Sequence, residues 1–466
     1  MSTANKIARI SLIYLIGQLG SRFISLLMLP IYTNQLSPEA YGSFDVVTTY
    51  TGVIIPVLCI EVWSGMLRFA LLSQDNRDRR RVVNNSLLFC FLGIGLFLLG
   101  FTPFGLLTSM EHMGYIGVYT VTTILMHVTS MSCRAFSENK LYAVSGMLSV
   151  FVNAAVSIVC IFGFHLGVET LYIAAIASNL AQILLVESRL HTLGRFRFSS
   201  YDKTIARDLL HFCLPLSIDS VFWFLLSSVN RIIINLCLPN GDHANGIYAA
   251  GNKLTVFITL LLSVFFMAWQ ETNYSELDRA RRQQHYRLAY RHLVRLVGAG
   301  TILLLPFTKL FFPLLIGREY AEAERLVPFL YLATYFQSIN RFTATFFSIE
   351  NKTRQLIISK IAGSAVNIAV IFLLLPSLGL VASALALIAS QLTVVLLQYA
   401  RYRRFTEVGF ELKNMLLVLG LFLVSGLIYF FGGTVGNLIW MAAAAGLCLW
   451  LCRDFFALLL AKLRRK

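Results

Sequence analysis

Long runs of apolar residues recur along the chain and are separated by short polar segments. A helix needs about 20 apolar residues to cross the hydrocarbon core of a bilayer, and fourteen runs reach that length. The first run is too long to be the apolar region of a cleaved signal peptide. The pattern therefore predicts an all-α polytopic membrane protein with about 14 transmembrane helices. The predicted spans are 10–33, 42–69, 82–104, 114–133, 143–164, 168–188, 212–238, 247–270, 293–316, 326–349, 356–375, 380–400, 414–431 and 435–455.

The composition agrees with this prediction. Hydrophobic residues make up 57% of the 466 residues and charged residues only 13%, whereas soluble proteins carry about 25% charged residues and disordered chains have low hydrophobicity. The formal net charge of +16 would suggest nucleic-acid binding in a soluble protein. No basic segment here is interleaved with the aromatic residues that stack on bases, so we expect no nucleic-acid partner.

The distribution of the basic residues predicts the orientation. If the N-terminus is cytoplasmic, 31 Lys and Arg residues fall on the cytoplasmic side, and the loops on the opposite side hold only Arg318 and Arg325. The positive-inside rule then places both termini in the cytoplasm. The basic stretch 274–295 is expected to extend the ninth helix beyond the membrane.

The sequence contains no recognisable catalytic constellation. Its eight cysteines lie in or beside apolar runs and lack the spacing of a zinc site, which predicts ordinary packing and no metal centre. The outer loops carry no paired carboxylates suited to acid–base chemistry, and no Walker motif is present. We therefore expect a protein that is not an enzyme and has no resident cofactor.

The two halves of the chain resemble each other. Residues 138–140 and 350–352 both read Glu-Asn-Lys, an offset of 212, and the same offset pairs Asn179 with Gln391. A looser match joins 35–44 to 237–248. Six spans per repeat give both halves one orientation, an arrangement known in transporters. We predict an N-lobe of helices 1–6 at residues 1–195, a C-lobe of helices 7–12 at 196–408, and two further helices with a basic tail at 409–466.

Six basic residues remain at membrane depth, where a charged side chain costs at least about 2.5 kcal/mol. One of them, Lys309, is expected to reach outward to the interface. If the other five face one cavity, that cavity is cationic and suits an anionic substrate, above all a phosphate. These five are Arg22, Arg68, Arg231, Lys253 and Arg341.

Two acidic residues are also predicted to lie well inside the spans. They are Glu61 in the second span and Asp219 in the seventh. An ion pair between Arg22 and Glu61 and a role of either acid in ion coupling are both left open.

Several motifs carry a resemblance to a known family. The motifs are Leu29 to Gly42, with a Leu-Ser-Pro-Glu and Tyr-Gly turn after the first span, Asn230 to Ile233 with Asn245 to Leu254, Gly317 to Ala323, and 350–353. On these motifs the sequence resembles a polysaccharide flippase of the multidrug/oligosaccharidyl-lipid/polysaccharide exporter superfamily, over nearly its whole length. It departs from the family pattern at Asn230, where members often carry Asp, and at Gln270, where many carry Pro.

The resemblance implies two six-helix lobes with two extra helices. It implies a flippase that moves polyprenyl-diphosphate-linked oligosaccharide from the cytoplasmic to the outer leaflet of the bacterial inner membrane by alternating access. The product would serve surface polysaccharide biosynthesis, such as lipopolysaccharide O-antigen, capsule or exopolysaccharide. The five basic residues would attract the diphosphate, with Arg68 nearest the cytoplasmic leaflet.

Membrane lipid and polysaccharide polymerase machinery are the further partners that the resemblance suggests. Coupling to a proton or sodium gradient through Glu61 or Asp219 stays open. Two alternatives also stay open: a multidrug or organic-cation exporter of the same superfamily, and a membrane-embedded polysaccharide polymerase or glycosyltransferase.

Overall fold

The computed structural model describes residues 20, 22–73, 75–273, 279–349, 353–402 and 412–463. Within these ranges the regular elements are helices, and no β-strand is found. The first part of the first predicted span (10–19), the segment 350–352 of the internal repeat and the end of the basic tail (464–466) lie outside the described residues.

The helices of the first half follow the apolar runs, because a helix satisfies its backbone hydrogen bonds internally in lipid. The turn after the first span shows how the sequence starts a helix: Ser37 Oγ accepts a hydrogen bond from Ala40 N at 3.3 Å, and Pro38 takes the first helical position. The helices are α1 (22–35), α2 (Pro38–Leu58), α3 (Val62–Leu72), α4 (Asn76–Leu107), α5 (Met113–Ala135), α6 (Asn139–Ile158, continued by a π-helical turn at Val159–Gly163), α7 (Glu169–Leu190), α8 (Lys203–Ser227) and α9 (Val229–Cys237).

The second half is also helical. The basic stretch before the ninth predicted span is helical from Arg279 onward, which confirms that the ninth helix extends well beyond its apolar run. The helices are α10 (Gly241–Lys253), α11 (Val256–Asn273), α12 (Arg279–Leu315), α13 (Ala323–Ile349), α14 (Thr353–Leu378), α15 (Leu380–Tyr402), α16 (Leu412–Phe431) and α17 (Gly433–Leu463).

The helices are long and apolar enough to make this a multi-pass membrane protein. In the part of the chain that the structure describes, eleven helices could each cross a bilayer, or twelve if the bent pair α2 and α3 is one span. α13, at the tenth predicted span, is not among them because it carries polar residues such as Ser338, Asn340 and Arg341. The all-α polytopic class predicted from the sequence is confirmed.

The chain divides into two compact units. Unit 1 consists of Met1–Phe224, Arg231–Leu236 and Asn240–Gly246. Its core lies among α3, α4, α5 and α8 and includes Met66, Leu87, Ile124 and Cys213, all fully buried. The amides of α7 hold α5: Asn179 Nδ2 donates to Thr123 Oγ1 at 3.0 Å, and Gln182 Nε2 donates to Ser130 Oγ at 3.2 Å.

Unit 2 consists of Leu225–Asn230, Cys237–Pro239 and Ile247–Lys466. A buried amide network joins α13 to α15: Asn340 Nδ2 donates to Gln391 Oε1 at 3.0 Å, and Gln398 Nε2 donates to Asn340 Oδ1 at 2.9 Å. The last two helices pack on α12. Lys309 forms an ion pair with Glu324 at 2.6 Å; its expected reach outward to the interface stays a prediction.

The internal repeat has a structural counterpart in each unit. In unit 1, α7 packs against α5 and α6, and in unit 2, α15 packs against α13 and α14. The offset of 212 pairs Asn179 with Gln391. Asn179 on α7 hydrogen-bonds to α5, and Gln391 on α15 hydrogen-bonds to the corresponding helix of unit 2, α13. The structural units divide near residue 224, with most of α8 in unit 1. The division into lobes at 1–195, 196–408 and 409–466 stays a prediction.

Candidate functional site

The second predicted span is broken between α2 and α3, and the break contains the carboxylate of Glu61. The axes of α2 and α3 differ in direction by 50°. Pro56, in the last turn of α2, has no backbone N–H to donate. Ile60 and Glu61 then take φ values of 53° and 51°. A left-handed conformation costs a non-glycine residue about 1 to 2 kcal/mol, and strain of this kind is frequent at functional sites.

Three donors hold the Glu61 carboxylate. Trp63 Nε1 donates to Oε1 at 2.8 Å, Ser64 Oγ donates to the same oxygen at 3.3 Å, and Ser220 Oγ on α8 donates to Oε2 at 3.2 Å. The indole of Trp63 is itself fixed, because it stacks on His127 of α5 with 5.4 Å between ring centroids. The break, two helices and a stacked pair of rings therefore determine where this carboxylate lies.

Arg68 lies on α3, seven residues after Glu61. Its side chain is exposed, and its guanidinium carbon lies 4.3 Å from the centroid of the Phe212 ring on α8, a cation–π contact. The two helices are close here, since a Cβ added to Gly65 would lie 2.3 Å from Cys213 Sγ. The ring of Phe212 therefore packs against the guanidinium of Arg68, while the Arg68 side chain stays exposed.

Asp219 completes a polar surface on α8. It is half-buried and directly precedes Ser220, which donates to Glu61 Oε2. We call this surface the α3–α8 face; it consists of Glu61, Ser64, Arg68, Asp219 and Ser220. Three residues predicted from the sequence therefore lie in unit 1 on the two elements that the hydrogen bond between Ser220 and Glu61 joins: Glu61 immediately before α3, Arg68 on α3 and Asp219 on α8.

Arg231, another predicted residue, has an acidic partner. Its Nε lies 3.2 Å from Asp45 Oδ2, and its Nη1 donates to Thr49 Oγ1 at 3.3 Å. Asn245 Nδ2 lies 3.3 Å from the same carboxylate oxygen. Sequence reasoning counted Glu61 and Asp219 as the acids inside the spans and missed Asp45. Asp45 is only 9% exposed. The sequence shows that it follows Pro38, the first residue of α2, by seven positions, and this was the one available indication that it lies inside the helix.

The Asp45–Arg231 pair lies beside a tight helix crossing. A Cβ added to Gly42 would lie 1.8 Å from Asp242 O, and one added to Gly246 would lie 1.9 Å from Pro38 O. The two contacts are reciprocal, since an offset of 204 relates Gly42 to Gly246 and Pro38 to Asp242, as in a self-complementary interface. The looser sequence match between 35–44 and 237–248 therefore marks a real structural correspondence.

The other predicted basic residues lie on separate helices. Arg22 is half-buried on α1. In unit 2, Lys253 is exposed at the end of α10, and Arg341 is exposed on α13, where its guanidinium carbon lies 6.0 Å from the Phe266 ring centroid. Among the described residues, no group of three or more His, Cys, Asp or Glu side chains could hold a metal ion.

Comparison with known proteins places this chain in a family. Residues 7–270 match the family described as "Polysaccharide biosynthesis protein", which is more than half of the chain. The chain belongs to the polysaccharide biosynthesis protein family. The family match contains Arg22, Glu61, Arg68, Asp219, Arg231 and Lys253, and it ends before Arg341.

One relative from Haemophilus influenzae matches more than half of this chain. The "Lsg locus putative protein 1" of Haemophilus influenzae is 23% identical over 262 residues, which are 55% of this chain and 63% of that protein. The chain therefore spans less than two thirds of that relative's length.

Two solved structures share the fold of this family member. The lipid II flippase MurJ, in an inward closed conformation, is 13% identical with a TM-score of 0.68, over 96% of this chain and all of that one. An inward-facing multidrug resistance MATE family transporter of the MOP superfamily is 16% identical with a TM-score of 0.62, over 85% of this chain and 98% of that one.

Proposed function

We propose that this protein is a flippase for polyprenyl-diphosphate-linked oligosaccharide. It moves the lipid from the cytoplasmic to the outer leaflet of the bacterial inner membrane by alternating access and so supplies repeat units for surface polysaccharide. Membership of the polysaccharide biosynthesis protein family supports the class of product, and the fold shared with the MurJ flippase supports the class of activity. The cytoplasmic placement of both termini rests on the 31 basic residues of the inner loops.

The observation that carries the proposal is the α3–α8 face. Arg68 is exposed within a helix that belongs to a membrane span, and at the start of the same helix the Glu61 carboxylate accepts hydrogen bonds from the Ser64 and Ser220 hydroxyls. Such groups would be costly against lipid tails, so a surface that carries them faces water or a polar ligand. An exposed arginine is suited to bidentate binding of a phosphate.

The diphosphate contacts that we propose in unit 1 are Arg22 and Arg68, and the candidates in unit 2, taken by itself, are Lys253 and Arg341. Lys253 is exposed at the end of α10, and Arg341 is exposed on α13, at the tenth span predicted from the sequence. Arg231 is left out of this set because its guanidinium is already paired with Asp45. The sugar and the coupling ion are not part of the proposal, and Asp219 stays a candidate for proton or sodium coupling.

The proposal is tested with purified protein in lipid vesicles. A polyprenyl-diphosphate-linked oligosaccharide with a fluorescent sugar is incorporated into both leaflets, and a membrane-impermeant quencher then reports how much reaches the outside. We expect wild-type protein to make nearly all of the lipid accessible and Arg68→Gln to slow this at least tenfold. Arg195→Gln, which removes an exposed arginine from the loop after α7, is the matched control and should retain the wild-type rate.

Two outcomes would overturn the proposal. One is wild-type vesicles that make no more lipid accessible than protein-free vesicles do. The other is efflux of a lipophilic cation by the same vesicles without movement of the lipid, which would assign the protein to drug export.

A further inference from the structure

We propose that Glu61 binds the sugar end of the substrate, at a subsite distinct from the one that holds the diphosphate. The inference rests on the proposed function and adds a specific role to one carboxylate. The subsite consists of Glu61 with the groups that orient it, and its ligand is a sugar hydroxyl or amide N–H donor close to the diphosphate.

The hydrogen-bond geometry of Glu61 leaves room for such a donor. An ionised carboxylate has about four lone-pair positions. The described contacts fill two on Oε1, from Trp63 and Ser64, and one on Oε2, from Ser220. One position on Oε2 is left for a ligand. Hydrogen bonds to a charged acceptor are roughly twice as strong as hydrogen bonds between neutral groups. A single sugar donor placed there would therefore contribute measurably to binding.

The orientation of Glu61 is fixed before a ligand arrives. Both φ values at the break are left-handed, and Trp63 is only 9% exposed and stacked on His127. A carboxylate held by a helix break, an indole N–H and two hydroxyls loses little conformational freedom on binding. This arrangement is that of a recognition group, since strain is maintained only where the surroundings fix it.

The distance between Glu61 and Arg68 separates a position that attracts phosphate from a position that accepts hydrogen bonds from hydroxyl groups. The six residues of helix that lead from Val62, next to Glu61, to Arg68 correspond to about 9 Å along the axis. A phosphate is attracted to Arg68 and repelled by the negative charge of Glu61, whereas a hydroxyl-rich group is accepted by Glu61. The face therefore fits a ligand with an anionic end toward the cytoplasmic end of α3 and a hydroxyl-rich end toward the break.

An aromatic side chain lies beside the subsite. Trp223 is one turn beyond Ser220 on α8, and its side chain is 39% exposed. An indole ring offers an apolar face to the C–H groups of a sugar, while the carboxylate accepts from its hydroxyls. The combination of a fixed carboxylate, two serine hydroxyls and an accessible indole is typical of saccharide recognition and differs from the purely basic surroundings that suit phosphate.

The test compares two probes on the full-length protein in lipid nanodiscs. One probe is polyprenyl-diphosphate-linked oligosaccharide, and the other is the same polyprenyl diphosphate without sugar. We expect Glu61→Ala to weaken binding of the sugar-bearing lipid about tenfold or more and to leave the sugar-free lipid within twofold of wild type. Glu61→Gln, which keeps an acceptor oxygen without the charge, should give an intermediate loss. Arg68→Gln should weaken both probes alike.

A milder variant covers a failure of Glu61→Ala to fold. Trp63→Phe keeps the ring that stacks on His127 and removes the indole N–H donor. It should weaken the sugar-bearing lipid about threefold, because Glu61 loses one of the groups that orient it, and spare the sugar-free lipid.

The outcomes separate the inference from the proposed function. Equal loss with both probes, or no loss with either, in Glu61→Ala or Trp63→Phe would overturn the sugar subsite while leaving the flippase proposal in place. Unchanged binding of both probes by Glu61→Gln, with loss of the proton or sodium dependence of transport, would assign Glu61 to ion coupling and also overturn it. If wild-type protein binds neither probe, the proposed function itself fails.

Discussion

Removing the guanidinium of Arg231 is expected to lower the stability of the protein, because Asp45 then loses its ionic partner. The Arg231→Gln substitution leaves a carboxylate that is 12% exposed without its ionic partner. At 3.2 Å between Nε and Oδ2 and an effective dielectric constant of about 20, the gross attraction between the two charges is about 5 kcal/mol. Desolvation offsets much of that attraction, so the pair itself adds little net stability.

The cost appears when only one partner is removed. Leaving a buried charge unpaired costs about 3 to 5 kcal/mol. The lower end applies here, because Asn245 Nδ2 lies 3.3 Å from the same oxygen and continues to donate to it. We therefore expect Arg231→Gln to lose about 3 kcal/mol of stability. The double variant Asp45→Asn/Arg231→Gln should recover most of that loss, since both side chains are then neutral and of similar size.

A double-mutant cycle measures this coupling. Unfolding of the purified wild-type, single and double variants is followed in one detergent, and surface polysaccharide is measured in cells that produce each variant. We expect both stability and polysaccharide to fall in each single variant and to return largely in the double variant, with Arg195→Gln as the unaffected control.

Two results would refute the reasoning. Additive stability losses would mean that the two side chains do not interact. Restored stability without restored polysaccharide would mean that Arg231 contacts the substrate, as its place among the membrane-depth basic residues first suggested.

Two further substitutions test the packing of each unit. Gly42→Ala should destabilise the α2–α10 crossing by about 1 to 3 kcal/mol, because the new Cβ must retreat from 1.8 Å to beyond 3.0 Å from Asp242 O; Gly52→Ala on the same helix, with no atom within 4 Å, is the control, and equal unfolding midpoints would contradict the crossing. Asn340→Ala should cost about 1 to 3 kcal/mol by leaving Gln391 Oε1 without its donor and Gln398 Nε2 without its acceptor, whereas Asn34→Ala, whose exposed side chain donates to Pro30 O, should unfold like wild type.

The fold was largely predictable because a membrane-spanning helix needs a run of about 20 apolar residues, which is visible in the sequence. The helix break at Ile60 and Glu61 was not, since neither residue favours a left-handed conformation and Pro56 is the only nearby residue that breaks helices in α2. The helix α13 shows the converse: its polar residues weaken the apolar signal, yet the Asn340 amide is hydrogen-bonded to Gln391 and Gln398 of α15 in the folded unit.

The site was predictable as a set of residue types and unpredictable as a set of partners. Charges at membrane depth pointed to Arg68, Glu61 and Asp219, and the structure places Glu61 immediately before α3, Arg68 on α3 and Asp219 on α8. The partner of Arg231 lies 186 positions earlier in the chain, on another helix, so its identity depends on tertiary packing. Asp45 escaped notice because it stands close to a span end, where a charge is ordinary.

The most direct test of the account is the movement of a lipid-linked oligosaccharide across a vesicle membrane that contains only this protein. The account predicts that wild-type protein brings the sugar of the inner leaflet to the outside, that Arg68→Gln slows this at least tenfold, and that Arg195→Gln does not. Vesicles with wild-type protein that show only the protein-free rate, under proton and sodium gradients of either direction, would contradict the central claim.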